Sequence, residues 1–343
     1  MAASSDRTRL AVGIDLGTTH TVVAWAPLDG SAPPAIFPVP QLVTTTEVAA
    51  RPLLPSFLYA PIAGEIAADP WGDAPWVVGE LARRRGGEVP GRLVASSKSW
   101  LCHRGVDATA PILPWGASEE DTELPRVSPV DAAAKLLAHV ARAWNQAFPG
   151  RPLAAQEVVL TVPASFDEVA RELTLAAAAR VGLPVRLLEE PQAAFYDFMS
   201  RAGSAGIEAL LAPAEGVDDE ALVLVCDVGG GTTDLSLIRV SRAAAGSTAP
   251  FEVARVAVGH HLLLGGDNMD LALAHAVEAR MVAAQTKLDA ARFGQLVLAC
   301  RAAKETLLGH DPPDDVAVTV LGKSASLLGG ALTARLTRDE ASR

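Results

Sequence analysis

Two short stretches of this chain carry the residue types that hold phosphate. Asp227, Gly229, Gly230, Gly231, Thr232 and Asp234 crowd together behind an apolar run, and Asp15, Gly17, Thr18 and Thr19 repeat the order near the start. Asp15-x-Gly17 matches Asp227-x-Gly229, with hydroxyl residues following in both. Glycines let the backbone approach a bulky ligand and leave successive N–H groups open, so such a turn can wrap an anion. Carboxylates beside that turn repel phosphate unless a hard cation lies between them, and magnesium is the usual one. Asp15 and Asp227 are therefore candidate metal residues. Two copies of one unit, far apart in sequence, imply a pseudo-symmetric pair of halves facing one ligand.

The flanking residues must position these turns. Apolar runs before Asp15 and Asp227, with alternating residues after each glycine turn, predict strand, tight turn, strand in both places. Residues 27–57, dense in proline, predict an irregular arm with short strands. Lys98 lies in the next segment; a flexible point charge on a long stem suits contact with a moving phosphate better than a rigid guanidinium fork. Cys102-His103 has no partners at ligand spacing and reads as structural. Residues 103–127, with the acidic run Glu119-Glu120-Asp121, predict a long surface loop. Ser128, Pro129 and Asp131 make a capped helix start, and Leu137, Val140, Trp144 and Phe148 form its buried stripe. Strands follow at 158–162 and 185–188, with helices at 167–181, ended by Gly182, and at 192–201, begun by Pro191. Beyond an acidic linker near 215–220 and the second glycine turn come a strand at 251–258 and helices at 267–284 and 289–308. Strands at 316–321 and 326–332 close the pattern, and Leu336-Thr337-Arg338-Asp339 reads as one more capped helix start. Strands alternating with helices indicate mixed α/β layers.

Composition narrows the class. With 343 residues, half of them hydrophobic, a sizeable core is available and two domains or one large bipartite domain fit. The formal net charge of −11 argues against a nucleic-acid partner. No apolar run approaches membrane-spanning length, and residues 1–10 hold no signal-peptide core. Cys102, Cys226 and Cys300 form no CxxC pair, so neither a disulfide framework nor a zinc site is indicated, and a cytoplasmic location is the default.

Five blocks in this order resemble one family. The two glycine turns are similar to the phosphate loops of the actin, sugar-kinase and heat-shock-seventy ATPases. Val162-Pro163-Ala164-Ser165-Phe166 with Arg171, Glu189-Glu190-Pro191-Gln192-Ala193-Ala194, and Leu264-Gly265-Gly266-Asp267-Asn268-Met269-Asp270 narrow the resemblance to the ATPase domain of heat shock protein 70 (DnaK-type) chaperones. The resemblance implies an α/β, two-lobed actin-like or ribonuclease H-like ATPase fold, each lobe a mixed sheet flanked by helices. The first lobe would span 1–218 with a subdomain inserted at about 43–127, and the second 219–343 with one at about 260–330. It implies an adenine nucleotide, ATP or ADP, with Mg2+ as cofactors. Gly17, Thr18 and Thr19 would contact the phosphates, and Gly229, Gly230, Gly231 and Thr232 would hold them from the other lobe. Asp15 and Asp227 would orient magnesium through its waters; Lys98 and Glu190 would place the attacking water, with Thr232 beside it and Asp234 a proton acceptor. Gly265, Gly266 and Lys304 would complete the nucleotide site, while Pro163 and Arg171 would relay nucleotide state to a peptide-binding domain and co-chaperones.

This chain departs from the family at three positions of the adenosine-clamping helix: Arg301 stands for a glutamate, Glu305 for a basic residue and Leu308 for a serine. His20 replaces an asparagine. The Gly-Gly-x-Ser/Thr-Arg-x-Pro loop that covers adenine in the family has no counterpart, Gly329-Gly330 being followed by Ala331-Leu332. The expectation is a piece of a longer protein with an unpaired sheet edge, exposed apolar surface and little preference for ATP over GTP. Two other readings stay open on the sequence: a sugar or acetate-type kinase of the same superfamily, and a scaffold that binds nucleotide without hydrolysing it.

Overall fold

The computed structural model describes every residue except 1–8, 67–68, 73, 90, 104, 116–122, 213–219, 245, 248–249, 260–261, 283–287 and 321–330. The first hairpin is β1 (Leu10–Leu16) and β2 (His20–Pro27), paired antiparallel from Leu10↔Pro27 to Leu16↔Thr21. Short strands β3 (Ala35–Ile36), β4 (Val39–Leu42), β5 (Val48–Arg51) and β6 (Leu54–Pro55) form the arm expected at 27–57, and β7 (Leu58–Tyr59) and β8 (Val77–Val78) follow it. Then come α1 (Glu80–Glu88), β9 (Leu93–Val94), α2 (Ser97–Leu101) and α3 (Pro129–Ala147). A second run follows with β10 (Glu157–Val162), α4 (Glu168–Arg180), β11 (Arg186–Glu189) and α5 (Glu190–Leu211).

The main sheet has the order β11-β10-β1-β2-β3, with β6 also on β2. β10 runs parallel to both β1 and β11, and α4 makes the crossover between the parallel pair, as parallel pairing requires. α3 covers this sheet because its apolar stripe has one place to go. Trp144 is fully buried and meets Phe37 edge-on with ring centroids 5.3 Å apart, and Trp25 likewise at 6.4 Å. Ser128 caps the helix, its Oγ accepting from Asp131 N at 3.0 Å, and Asp167 caps α4 by accepting from Ala170 N at 3.0 Å.

The remainder is β12 (Glu220–Val228), β13 (Thr233–Arg242), β14 (Phe251–Val258), α6 (Gly266–Val282), α7 (Ala290–Leu307), β15 (Asp315–Val320), β16 (Leu332–Thr337) and α8 (Arg338–Ser342). β12-β13-β14 form an antiparallel sheet whose one face packs on Phe195, Ile207 and Leu211 of α5. α6 and α7 pack on the β15-β16 hairpin through Val277, Leu296, Val318 and Leu336. β12 is an outer strand of this sheet among the described residues, and on its outer face Leu222 is 60% and Leu224 62% exposed.

Two helical segments make up α5: the one expected at 192–201 and a second reaching Leu211, joined at Gly203, whose φ of 61° and ψ of −175° interrupt the helix. That positive φ is open to glycine, which makes the join a kink. The strand expected at 326–332 falls mostly outside the described residues; β16, which pairs with β15, is Leu332–Thr337. Its last residue, Thr337, then caps α8 in a reciprocal capping box with Glu340. The acidic run of the 103–127 loop and most of the 215–220 linker also lie outside the described residues.

Candidate functional site

Both glycine turns use the same closure. Gly17 N donates to His20 O at 3.0 Å, and Gly229 N donates to Thr232 O at 2.8 Å, the same offset in each. The innermost strand pairs, Leu16↔Thr21 and Val228↔Thr233, give both connections one length. The turns face each other closely: a Cβ added to Gly230 would collide with the Thr19 side chain, and one on Gly231 would lie 2.5 Å from Ser99 Oγ and 3.3 Å from Thr18 Cγ2. They flank a cleft of about 560 Å³ lined by Asp15, Gly17, Thr18, Thr19, His20, Lys98, Glu190, Asp227, Gly229, Gly230 and Thr232.

Among the described residues that line this cleft, Lys98 is the only lysine or arginine. Lys98, on α2, is 8% exposed and its Nζ donates to Glu190 Oε1. A solvated surface lysine is not what the fold holds here. Glu190 is the first residue of α5, before Pro191, and does not cap that helix. Burial pushes its carboxyl above the usual carboxylate range; Lys98 opposes the shift, and Asp15 and Asp227 add to it. Burial likewise raises Asp227, helped by Asp234 and Asp15 and opposed by Lys98. Asp227 and Asp234 sit directly opposite in the β12–β13 register, a like-charge pair that costs stability when left alone. Asp234 is 5% exposed and accepts from Thr232 Oγ1 at 3.3 Å.

Two carboxylates, Asp15 and Asp227, raising each other's neighbours across an open cleft make an environment that a hard cation relieves. Among the described residues no three His, Cys, Asp or Glu side chains converge on one metal position. The donor set therefore fits a cation that keeps much of its water shell and takes further oxygens from a ligand, which is magnesium's habit.

Gly265 and Gly266 pack against the backbone of the second turn. Gly266 N donates to Gly229 O at 3.1 Å and Asp267 N to Gly230 O at 2.6 Å, so the α6 N-terminus pins the second turn. Lys304 is engaged elsewhere, with Nζ 2.7 Å from Asp270 Oδ1 and donating to Gly266 O at 3.2 Å. Pro163 lines the cleft, and Arg171 donates to Phe166 O at 3.0 Å and to Glu189 Oε1 at 2.8 Å. His103 packs on Trp100 at 5.3 Å and Cys102 Sγ donates to Ser99 O at 3.3 Å, in keeping with their structural reading.

Several residues at the site escape sequence reasoning. Thr161 Oγ1 donates to Asp15 Oδ1 at 2.8 Å, because the parallel register Ile14↔Leu160 sets the two side by side. A hydroxyl inside the apolar run 158–162 is the signal that was available. Ser96 Oγ reaches Asp267 Oδ2 at 2.6 Å, and Arg255 of β14 joins Arg171 on Glu189, the residue before Glu190. No helix among the described residues is long and apolar enough to cross a membrane.

The chain has relatives among known proteins. The chain is 33% identical over 285 residues to "Chaperone protein HscA" of Pectobacterium carotovorum, covering 80% of this chain and 38% of that protein. It is 33% identical over 284 residues to the protein of the same name from Serratia proteamaculans, with the same coverage. Against "Chaperone protein HscA homolog" of Actinobacillus pleuropneumoniae it is 33% identical over 282 residues, 79% of this chain and 38% of that one. The chain thus spans well under half the length of these relatives. The family model described as Hsp70 protein matches residues 114–338, more than half of the sequence. The protein belongs to the Hsp70 family.

Proposed function

We propose that this chain is the nucleotide-binding and nucleotide-hydrolysing part of a DnaK-type chaperone, using a magnesium nucleoside triphosphate, ATP by family resemblance. The observation that carries the reading is the pair of identically closed glycine turns facing one cleft beside the buried Lys98–Glu190 pair. Backbone N–H groups and hydroxyls at Gly17, Thr18, Thr19, Gly229, Gly230, Gly231 and Thr232 would hold the phosphates. Asp15 and Asp227 would hold magnesium through water, and Gly265 and Gly266 would act by bracing the second turn. Magnesium supplies charge neutralisation and phosphate positioning when bound.

The protein's own groups carry the rest. Lys98 donates charge-assisted hydrogen bonds toward the terminal phosphate and a water that Glu190 orients, with Asp234 taking up the proton. Phosphoryl transfer needs mostly positioning and charge stabilisation, which suits a preorganised buried pair. In this reading the chain has two lobes, 1–218 and 219–343, with subdomains inserted at about 43–127 and 260–330, and nucleotide draws the lobes together. Its partners would be a peptide-binding domain of the same protein and co-chaperones, in the cytoplasm. Radiolabelled ATP incubated with the chain, alone and with candidate sugars or acetate, should yield inorganic phosphate and no labelled organic phosphate. A labelled sugar or acyl phosphate would replace this reading with a kinase, and unhydrolysed ATP under tight binding with a scaffold.

A further inference from the structure

Two arginines from different parts of the fold share one carboxylate at the start of α5. Glu189 is the last residue of β11, stands immediately before Glu190, and is 9% exposed. Arg171 of α4 donates to its Oε1 at 2.8 Å, and Arg255 of β14 donates to its Oε2. Glu189 occupies the capping position of α5, where an acceptor side chain commonly takes a helix amide, yet its side chain takes none. Its carboxylate instead ties the main sheet to the β12-β13-β14 sheet.

The register of β14 brings an arginine to that point. Phe251 and Val253 pack on the α5 side of their sheet, and Arg255, opposite the buried Ile238, is next in the same row. The ladder then slips: Ala257 pairs with Leu237, which leaves Val256 as the extra residue of a β-bulge. An apolar row thus ends in a guanidinium at the bulge. From Glu189 two paths lead to the cleft. One is the peptide bond to Glu190, which accepts from Lys98. The other is Arg171, whose Nε donates to Phe166 O at 3.0 Å, in the loop that sets Pro163 and Phe166 in the cleft wall. Charge-assisted bonds from two separate elements fix the carboxylate more firmly than either would alone.

We propose that Arg255 is a positioning residue for hydrolysis, which holds Glu189 against Arg171 and so sets the placement of Glu190 in the cleft. The inference rests on the reading of that cleft as the nucleotide site with Glu190 orienting the water. Single-turnover hydrolysis of magnesium ATP by the chain, beside calorimetry with a non-hydrolysable analogue, tests it. In Arg255→Gln the rate should fall about tenfold while affinity changes by less than about twofold, because a misplaced Glu190 costs the transition state more than the ground state. Arg255→Lys, which keeps a cation but loses the fork, should recover part of that loss. Glu189→Gln should match Arg255→Gln, and the double variant should lose no more than either single one, since both break the same link. Arg242→Gln is the control, because it removes an exposed ion pair from β13 to Glu208 of α5, and it should hydrolyse at the wild-type rate. A rate within about twofold of wild type in Arg255→Gln, or an equal loss in Arg242→Gln, overturns the positioning role and leaves the cleft reading standing. A wild-type chain that releases no phosphate overturns the cleft reading and this inference together.

Discussion

Lys98→Ala separates a structural lysine from a working one, and the structure sets the size of both effects. Lys98 is buried against Glu190, whose carboxyl already sits above its usual range because of burial, with Asp15 and Asp227 pushing the same way. Removing one partner of a buried pair costs about 3–5 kcal/mol when the other charge is left behind. Glu190 can escape part of that penalty by keeping a proton, so the loss depends on pH. The sign follows from the raised carboxyl: the folded state holds its proton to higher pH than the unfolded state. Stability is then fully present below the ordinary carboxylate range and falls as pH rises through the folded value. The variant should therefore melt close to wild type in mild acid and clearly below it at neutral pH. Catalysis should respond differently. Losing a preorganised donor at developing charge lowers turnover by about 10²–10³-fold, roughly 2.7–4 kcal/mol, while ground-state affinity should move by much less. Single-turnover hydrolysis measures the first quantity, calorimetry the second and thermal melts across pH the third. A hydrolysis rate within a few-fold of wild type, together with the pH-dependent melting defect, would leave Lys98 a structural partner of Glu190 and refute its catalytic role.

Other outcomes follow from the same geometry. With magnesium held at Asp227 as proposed, protons would compete for this carboxyl, which burial and Asp234 hold above the ordinary range. Magnesium-dependent nucleotide affinity should thus rise with pH through and beyond that range, and Asp227→Asn should flatten the dependence as well as weaken binding; an unaltered pH profile in the variant contradicts the metal assignment. Gly265→Ala places a Cβ 2.6 Å from Gly229 O and 2.7 Å from Gly230 O, both backbone, so the second turn must shift; nucleotide affinity should drop at least tenfold with little change in far-UV circular dichroism. Trp144→Ala should cost about 3–5 kcal/mol in denaturant melts, because the ring is fully buried against Trp25, Phe37 and Phe148.

Much of this is legible in the chain itself, for a physical reason. A tight turn that exposes N–H groups can be built only by small residues at fixed offsets, so Asp15-x-Gly17 and Asp227-x-Gly229 announce themselves, as do the capped starts at Ser128 and Thr337. Side chains that meet through tertiary register leave no such mark. Thr161 reaches Asp15 only because β10 lies parallel to β1, and Arg255 reaches Glu189 only because β14 lies near the start of α5. Arg301 is conspicuous in the sequence as a departure, yet its partners Asp267 and Asp270 become evident only when α6 packs on α7. The same limit hides the second helical segment of α5: packing of Ile207 and Leu211 on the β12-β13-β14 sheet holds it beyond the break at Gly203.

The central claim is that one nucleotide lies with its phosphates between the two glycine turns. A crystal structure of the chain with magnesium and a non-hydrolysable triphosphate tests it most directly. Phosphate oxygens should lie within hydrogen-bond reach of backbone N–H groups in both turns, near Thr18 and Gly230, with a hydrated cation on the side of Asp15 and Asp227. Phosphates bound to one turn alone, or a nucleotide seated outside the cleft with Lys98 still paired to Glu190, would contradict it.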